Sequence, residues 1–101
     1  MKVKLADLKQ HIGDSVIVEG AVKNIQYLPN EVLSPTYINI GNAGNLLTVV
    51  IWAKTRNLFT IKPENAYKNK SIRVSGRLLN DKGNPRIIIN NPSQIVLLDS
   101  K

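Results

Sequence analysis

Ser15-Val16-Ile17-Val18-Glu19-Gly20-Ala21-Val22-Lys23-Asn24 is the stretch on which the fold turns. Val16, Val18 and Val22 alternate with Glu19 and Lys23, the period of two that marks a strand with one buried face, and Gly20 interrupts that face at its middle. Fifty-six positions on, Ser71-Ile72-Arg73-Val74-Ser75-Gly76-Arg77-Leu78-Leu79-Asn80 repeats the design. Ser71, Val74, Gly76 and Asn80 stand where Ser15, Val18, Gly20 and Asn24 stood, while Ile72 and Leu78 replace valines. Two strands hinged at a glycine can curl round one small core, and such a sheet closes as a barrel, because glycine turns a barrel corner without a side-chain clash. Val-x-Gly strands are also common in all-β domains, so chance is the alternative reading of the echo.

A chain of 101 residues predicts a single domain over residues 1–101 that buries roughly 60% or more of its unfolded surface. With 14 Lys and Arg against 7 Asp and Glu, a net charge of +7 favours a polyanionic partner: nucleic acid first, an anionic membrane surface second. There is no cysteine, which excludes disulfides and thiolate metal sites and fits a reducing cytoplasm. Charges break the apolar run of the N-terminus every few residues, so neither a signal peptide nor a membrane span is expected there, and a soluble cytoplasmic protein is.

Leu5, Leu8 and Ile12 stand at helical spacing before Gly13, predicting a short N-terminal helix that plugs one end of the barrel. After the first strand, residues 26–35 carry two prolines and no periodicity and read as a long loop. Tyr37-Ile38-Asn39-Ile40 is the second strand, closed by the turn Gly41-Asn42-Ala43-Gly44-Asn45. In the third strand, residues 46–52, the phasing turns Leu47, Val49 and Ile51 inward and leaves Thr48, Val50 and Trp52 outside. Residues 53–59 suggest a short helix with Leu58 and Phe59 buried, which Pro63 prevents from continuing. The fourth strand, residues 71–79, buries Ile72, Val74 and Leu78 and turns Arg73, Ser75 and Arg77 outward. A dense turn signal at residues 80–85 leads to the fifth strand, Arg86-Ile87-Ile88-Ile89, and residues 95–98 supply a closing apolar segment before the polar end Asp99-Ser100-Lys101.

Three strands, a short helix and two strands, kinked in the first and fourth, follow the element order of the five-stranded Greek-key barrel called the OB-fold. The likeness extends to residues. Ile12-Gly13-Asp14-Ser15-Val16-x-Val18-x-Gly20-x-Val22, Leu47-Thr48-Val49-Val50-Ile51-Trp52, Tyr67-x-x-Lys70-x-Ile72-x-Val74-x-Gly76-Arg77, Gly83-x-Pro85-x-Ile87 and Pro92-Ser93-Gln94-Ile95 resemble the small bacterial OB-fold domains of the nucleic-acid-binding class. That class includes anticodon-binding-like modules and accessory domains of secreted nucleases. The resemblance implies an all-β fold, a five-stranded barrel with a short N-terminal helix and one short helix between strands three and four. It implies a ligand class less firmly, because OB-folds also assemble proteins.

The resemblance places nucleic-acid contact on the exposed face of strands two and three and on the flanking loops. That face presents Tyr37 and Asn39 from one strand and Thr48, Val50 and Trp52 from the other. Tyr37 with Trp52 would form a stacking platform; alternatively Trp52 turns into the core. Lys23, Lys54, Arg56, Arg73, Arg77, Lys82 and Arg86 fall on outward phases or flanking loops and are the candidates for tracking phosphates, the alternative being an ordinary solvated charge face. Asn39, Asn80, Asn84 and Asn90 can bond base edges, although asparagines in turns commonly bond their own backbone.

Catalysis has little to stand on. His11 is the only histidine, and the acids show no Asp-x-Asp pairing for a divalent metal. The Gly41–Gly44 turn joins two strands rather than leading into a helix, so it is no phosphate loop. The expectation is therefore a binding protein without cofactor or metal, whose partner is single-stranded DNA or RNA taken with little sequence preference. The alternatives are an assembly module or homo-oligomer using an apolar patch of Val50, Leu79 and Ile88, or a substrate-binding accessory of a nuclease or helicase; no membrane is expected.

Overall fold

Seven strands run through the described residues, 1–42 and 44–98, of the computed structural model. They are β1 (Ser15–Tyr27), β2 (Thr36–Asn42), β3 (Asn45–Ile51), β4 (Ser71–Arg77), β5 (Leu79–Asp81), β6 (Asn84–Ile89) and β7 (Ile95–Leu98). Helices α1 (Ala53–Arg56) and α2 (Pro63–Ala66) lie between β3 and β4, and 3-10 turns occupy Leu5–Gln10 and Pro92–Gln94. Ala43 of the first hairpin turn and the polar end 99–101 lie outside the described residues.

The two echoing stretches are neighbours. β1 and β4 pair antiparallel with Val18 opposite Val74, which sets Gly20 against Ile72 and Gly76 against Val16. Each glycine thus leaves room opposite an apolar residue of the other strand. Gly20 also meets the N-terminal turn, since a Cβ there would lie 3.1 Å from Leu5 Cδ1. Just beyond it β1 changes partner, pairing with β4 as far as Ala21 and with β2 from Val22 onward. The register slips between Val22 and Asn24, a bulge that bends the strand and re-aims Lys23.

The sheet order is β5-β6-β3-β2-β1-β4-β7, antiparallel except where β3 and β6 run parallel. Alternation does what the sequence predicted for the core. Val16, Val18, Ile38, Ile40, Leu47, Val49, Ile51, Ile72, Val74, Ile87 and Ile89 are all buried in one apolar cluster, with Leu8 and Tyr67 against it. β-branched side chains dominate because they suit a pleated, strongly curved surface.

Several expectations need correction. The sheet has seven strands rather than five and does not close. Strand four ends at Arg77 because Leu78 is pinned inward, its N–H donating to the Asp14 carbonyl at 2.8 Å and its carbonyl accepting from the Gly13 N–H at 2.7 Å. The chain turns there, and Leu79 to Asp81, expected as strand end and turn, pairs with β6 as β5. The apolar segment 95–98 completes the other edge as β7 on β4. Between β4 and β6 a side chain stands in for a ladder. Gln94 Nε2 donates to the Ser75 carbonyl at 2.9 Å while its Oε1 accepts from the N–H groups of Asn90 (2.8 Å) and Asn91 (3.0 Å). A Cβ on Gly76 would come within 2.8 Å of Ile87 Cγ2, which is how nearly the two strands meet.

The N-terminal segment is a 3-10 turn rather than an α-helix. Its period of three aligns Leu5 with Leu8 and throws Ile12 out of phase, so Leu8 is buried and Ile12 exposed. Between β3 and β4 stand two short helices, because Pro63 opens α2 at its first position as well as ending what precedes it. Leu58, expected in the core, is exposed, whereas Phe59 packs edge-on to Tyr67 with ring centroids 6.4 Å apart. Among the described residues, no helix is long and apolar enough to cross a membrane.

Candidate functional site

Strand pairing lines up outward side chains in rows across the sheet. Asn24 of β1 faces Asn39 of β2, Asn39 faces Thr48 of β3, and Thr48 faces Arg86 of β6. The next row runs Gln26, Tyr37, Val50, Ile88. Four strands at about 4.8 Å spacing make each row roughly 14 Å long.

The first row is a hydrogen-bonded ladder. Thr48 Oγ1 donates to Asn39 Oδ1 at 2.8 Å, and Asn39 Nδ2 donates to Asn24 Oδ1 at 2.8 Å. The Asn39 amide is held at both ends and that of Asn24 at its oxygen, which leaves the second N–H of Asn39 and the acceptor capacity of Thr48 for a ligand. Arg86 closes the row, its Nη1 donating to Asp81 Oδ2 at 2.9 Å, while its buried Nε has no hydrogen-bond partner among the described residues. A groove of about 310 Å³ lies over this row, lined by Gln26, Tyr37, Asn39, Thr48, Asp81 and Arg86 among others.

Trp52 is placed elsewhere on the same face. It is half-buried, caps α1, and shares a second groove with Arg77, Leu79, Ile88, Asn90 and Gln94 at the seam between β4 and β6. The two rings do not form one platform, because Tyr37 and Trp52 line different grooves. Val50, expected outside, is fully buried because Tyr37 and Ile88 flank it in the row, and Leu79 and Ile88 are half-buried, so the three do not make an open apolar patch.

The cations divide. Arg56 is withdrawn from phosphate contact. It is 9% exposed, donates to both Glu64 carboxylate oxygens at 2.7 Å and to Thr36 Oγ1 at 3.0 Å, and lies 3.7 Å over the Tyr27 ring. The Arg56 guanidinium holds the Glu64 carboxyl below the usual carboxylate range. Arg73 lies on the face of β1 and β4 rather than that of β2 and β3, and its Nε donates to Glu19 Oε2 at 2.8 Å, which lowers the Glu19 pKa. Arg77 is exposed in the second groove. Lys23, on the bulge, lines a neighbouring cleft with Asn24 and Lys68; Lys82 is exposed in the β5–β6 turn and Lys54 on α1. Sequence reasoning missed Asn24, Gln26 and Asp81. Asn24 and Gln26 alternate with Ile25, a continuation of the strand that the nearby prolines obscured, and Asp81 was absorbed into a turn signal.

His11 Nδ1 is 3.2 Å from Asp14 Oδ2, and no group of three His, Asp or Glu among the described residues is arranged to hold a metal ion.

No protein-family model matches the chain, and no curated protein matches it in sequence. Solved structures do match. The replication factor A related protein from Methanobacterium thermoautotrophicum is 17% identical, with a TM-score of 0.66 over 98% of this chain and 92% of that one. The yeast Stn1 and Ten1 structure contains a chain at 8% identity and TM-score 0.67, covering 99% of this chain and 63% of that one. Asparaginyl-tRNA synthetase from Pyrococcus horikoshii is 15% identical with a TM-score of 0.65 over 97% of this chain, which spans only 23% of the synthetase. These neighbours are OB-fold domains, and the open seven-stranded sheet is compatible with that fold. At such identities the likeness carries the fold alone.

Proposed function

We propose that this protein binds single-stranded nucleic acid across the outer face of β1, β2, β3 and β6, and acts by binding rather than by catalysis. The observation that carries the reading is the row Asn24–Asn39–Thr48–Arg86, partly exposed and with spare hydrogen-bonding capacity, on a face bearing Tyr37 and, about 13 Å along the chain from Thr48 (four residues at ~3.3 Å), Trp52. Tyr37 stacks one base, Trp52 another, and Arg77, Lys23 and Lys82 meet phosphates between and beside them. Stacking and phosphate contact are indifferent to sequence, so most positions of the strand are read for shape alone. The names of two neighbours, a tRNA synthetase and a replication factor A related protein, associate this fold with nucleic acids and support the same reading.

Titration of Trp52 fluorescence with short oligodeoxy- and oligoribonucleotides at low salt tests it. Quenching at micromolar concentration, weakened in Tyr37→Ala by the loss of about 1–3 kcal/mol of stacking, is the expected result. No binding to any oligonucleotide at low salt would end the proposal.

One observation favours a second reading, protein assembly. Val32 (86%) and Leu33 (60%) of the long loop, and Leu58 (60%) and Ile61 (58%) after α1, are strongly exposed, and the loop is tied to α1 by the Ala53 N–H donating to the Leu33 carbonyl at 3.0 Å. A stable homo-oligomer in size-exclusion chromatography, dispersed by Val32→Ser with Leu58→Ser, would favour that role.

A further inference from the structure

The groove over the ladder contains an acid, which a surface serving only to attract phosphates has no use for. Asp81 sits on the three-residue β5 with its side chain 53% exposed, whereas its partner Arg86 is only 21% exposed. Carboxylate and guanidinium are joined by one hydrogen bond of 2.9 Å, so the carboxylate keeps acceptor sites and the guanidinium keeps donors. Among the described residues Arg86 Nε has no hydrogen-bond partner, and the guanidinium's hydrogen bond to Asp81 engages only Nη1. Tyr37, in the adjoining row, lines the same groove.

A carboxylate beside a guanidinium presents two acceptors next to a donor. The complementary edge carries two adjacent N–H donors next to a carbonyl. Guanine has that edge, in N1–H, the 2-amino group and O6. Adenine and cytosine offer one amino group beside a ring-nitrogen acceptor, and thymine and uracil offer one N–H between two carbonyls. Against either of these patterns one Asp81 oxygen faces an acceptor, and the repulsion between carboxylate and phosphate goes uncompensated. We propose that the Asp81–Arg86 pair makes this groove a guanine subsite: Tyr37 stacks the base, Asp81 accepts from N1–H and the 2-amino group, and Arg86 donates to O6. The inference rests on the nucleic-acid reading above and adds selectivity at one position of an otherwise indifferent path.

The experiment is fluorescence anisotropy with labelled oligothymidylates carrying a single central guanine, hypoxanthine, adenine or cytosine, at one salt concentration, on the full chain and on Asp81→Asn. Wild type should favour guanine roughly ten-fold, within what a bidentate base contact supports, and should lose several-fold of that preference when hypoxanthine removes the 2-amino group. Asp81→Asn should abolish the preference while binding the adenine and cytosine oligonucleotides a few-fold more tightly, because a negative charge has left the face. An exposed acid that merely ties the hairpin together would shift all four oligonucleotides alike. Equal affinity for guanine and hypoxanthine, or a preference that survives in Asp81→Asn, overturns the subsite and leaves the binding proposal standing. Failure of every oligonucleotide to bind overturns both.

Discussion

Arg56 shows how a residue type misleads when its neighbours are unknown. As an arginine near an exposed strand in a basic chain it reads as a phosphate contact, yet its partner Glu64 stands eight residues on, across a proline, where no helical spacing announces a pair. Its work is structural. Arg56→Met should cost about 2 kcal/mol in urea denaturation, since it strands the buried Thr36 hydroxyl and removes the pair with Glu64, whose one-third exposure lets it rehydrate and keeps the cost from being larger; oligonucleotide affinity should not change. Glu64 titrates below its unfolded value of about 4.3, so its contribution is complete above that pH and fades as pH falls through the folded value. Wild type should therefore lose stability in acid more steeply than Arg56→Met, which pH-dependent denaturation would measure. Tyr37 was the reverse case. Ile38 and Ile40 filled the buried phase, and the structure leaves the ring half-exposed in a groove.

At the scale of elements, strands whose burial alternates were legible, and those defined by a partner were not. β1, β2 and β4 carry their own period-two signal, whereas β3 and β6 are apolar runs marked by the turns beside them, and buried Val50 shows that their phase depends on pairing. β5 has three residues and forms only because Leu78 is pinned and turns the chain onto β6, and β7 is an apolar run whose role depends on an open edge of β4. The seam is less legible still. Nothing in the sequence of Gln94 says that one amide will replace a backbone ladder, although Asn91-Pro92-Ser93-Gln94 is a capping-box pattern and positions it. Gln94→Ala gives up three hydrogen bonds, two of them to backbone N–H groups, and should lower stability by about 2 kcal/mol. Amide hydrogen exchange should then quicken at Asn90 and Asn91 before it quickens in β1; protection left unchanged at those two residues would show that the seam does not depend on this side chain.

Over the whole molecule, the excess of seven positive charges is not spread evenly in effect. Arg56, Arg73 and Arg86 are each joined to a carboxylate, so the cations left for phosphates on the proposed binding face are chiefly Arg77 and lysines. Composition points to a polyanionic partner but does not reveal this division, because ion pairing is a property of the folded sheet. If three or four phosphates are contacted, the logarithm of affinity should fall with the logarithm of salt at a slope of about −2 to −3, and Arg77→Gln should reduce that slope by about 0.7. The central claim, that the polar ladder of β1, β2, β3 and β6 is where the strand lies, is tested most directly by amide chemical-shift mapping with a short single-stranded oligonucleotide. Shifts concentrated at Asn24, Tyr37, Asn39, Thr48 and Arg86, with Glu19 and Arg73 of the other face unmoved, are the predicted result; shifts centred on Glu19 and Arg73, or none at all, would contradict it.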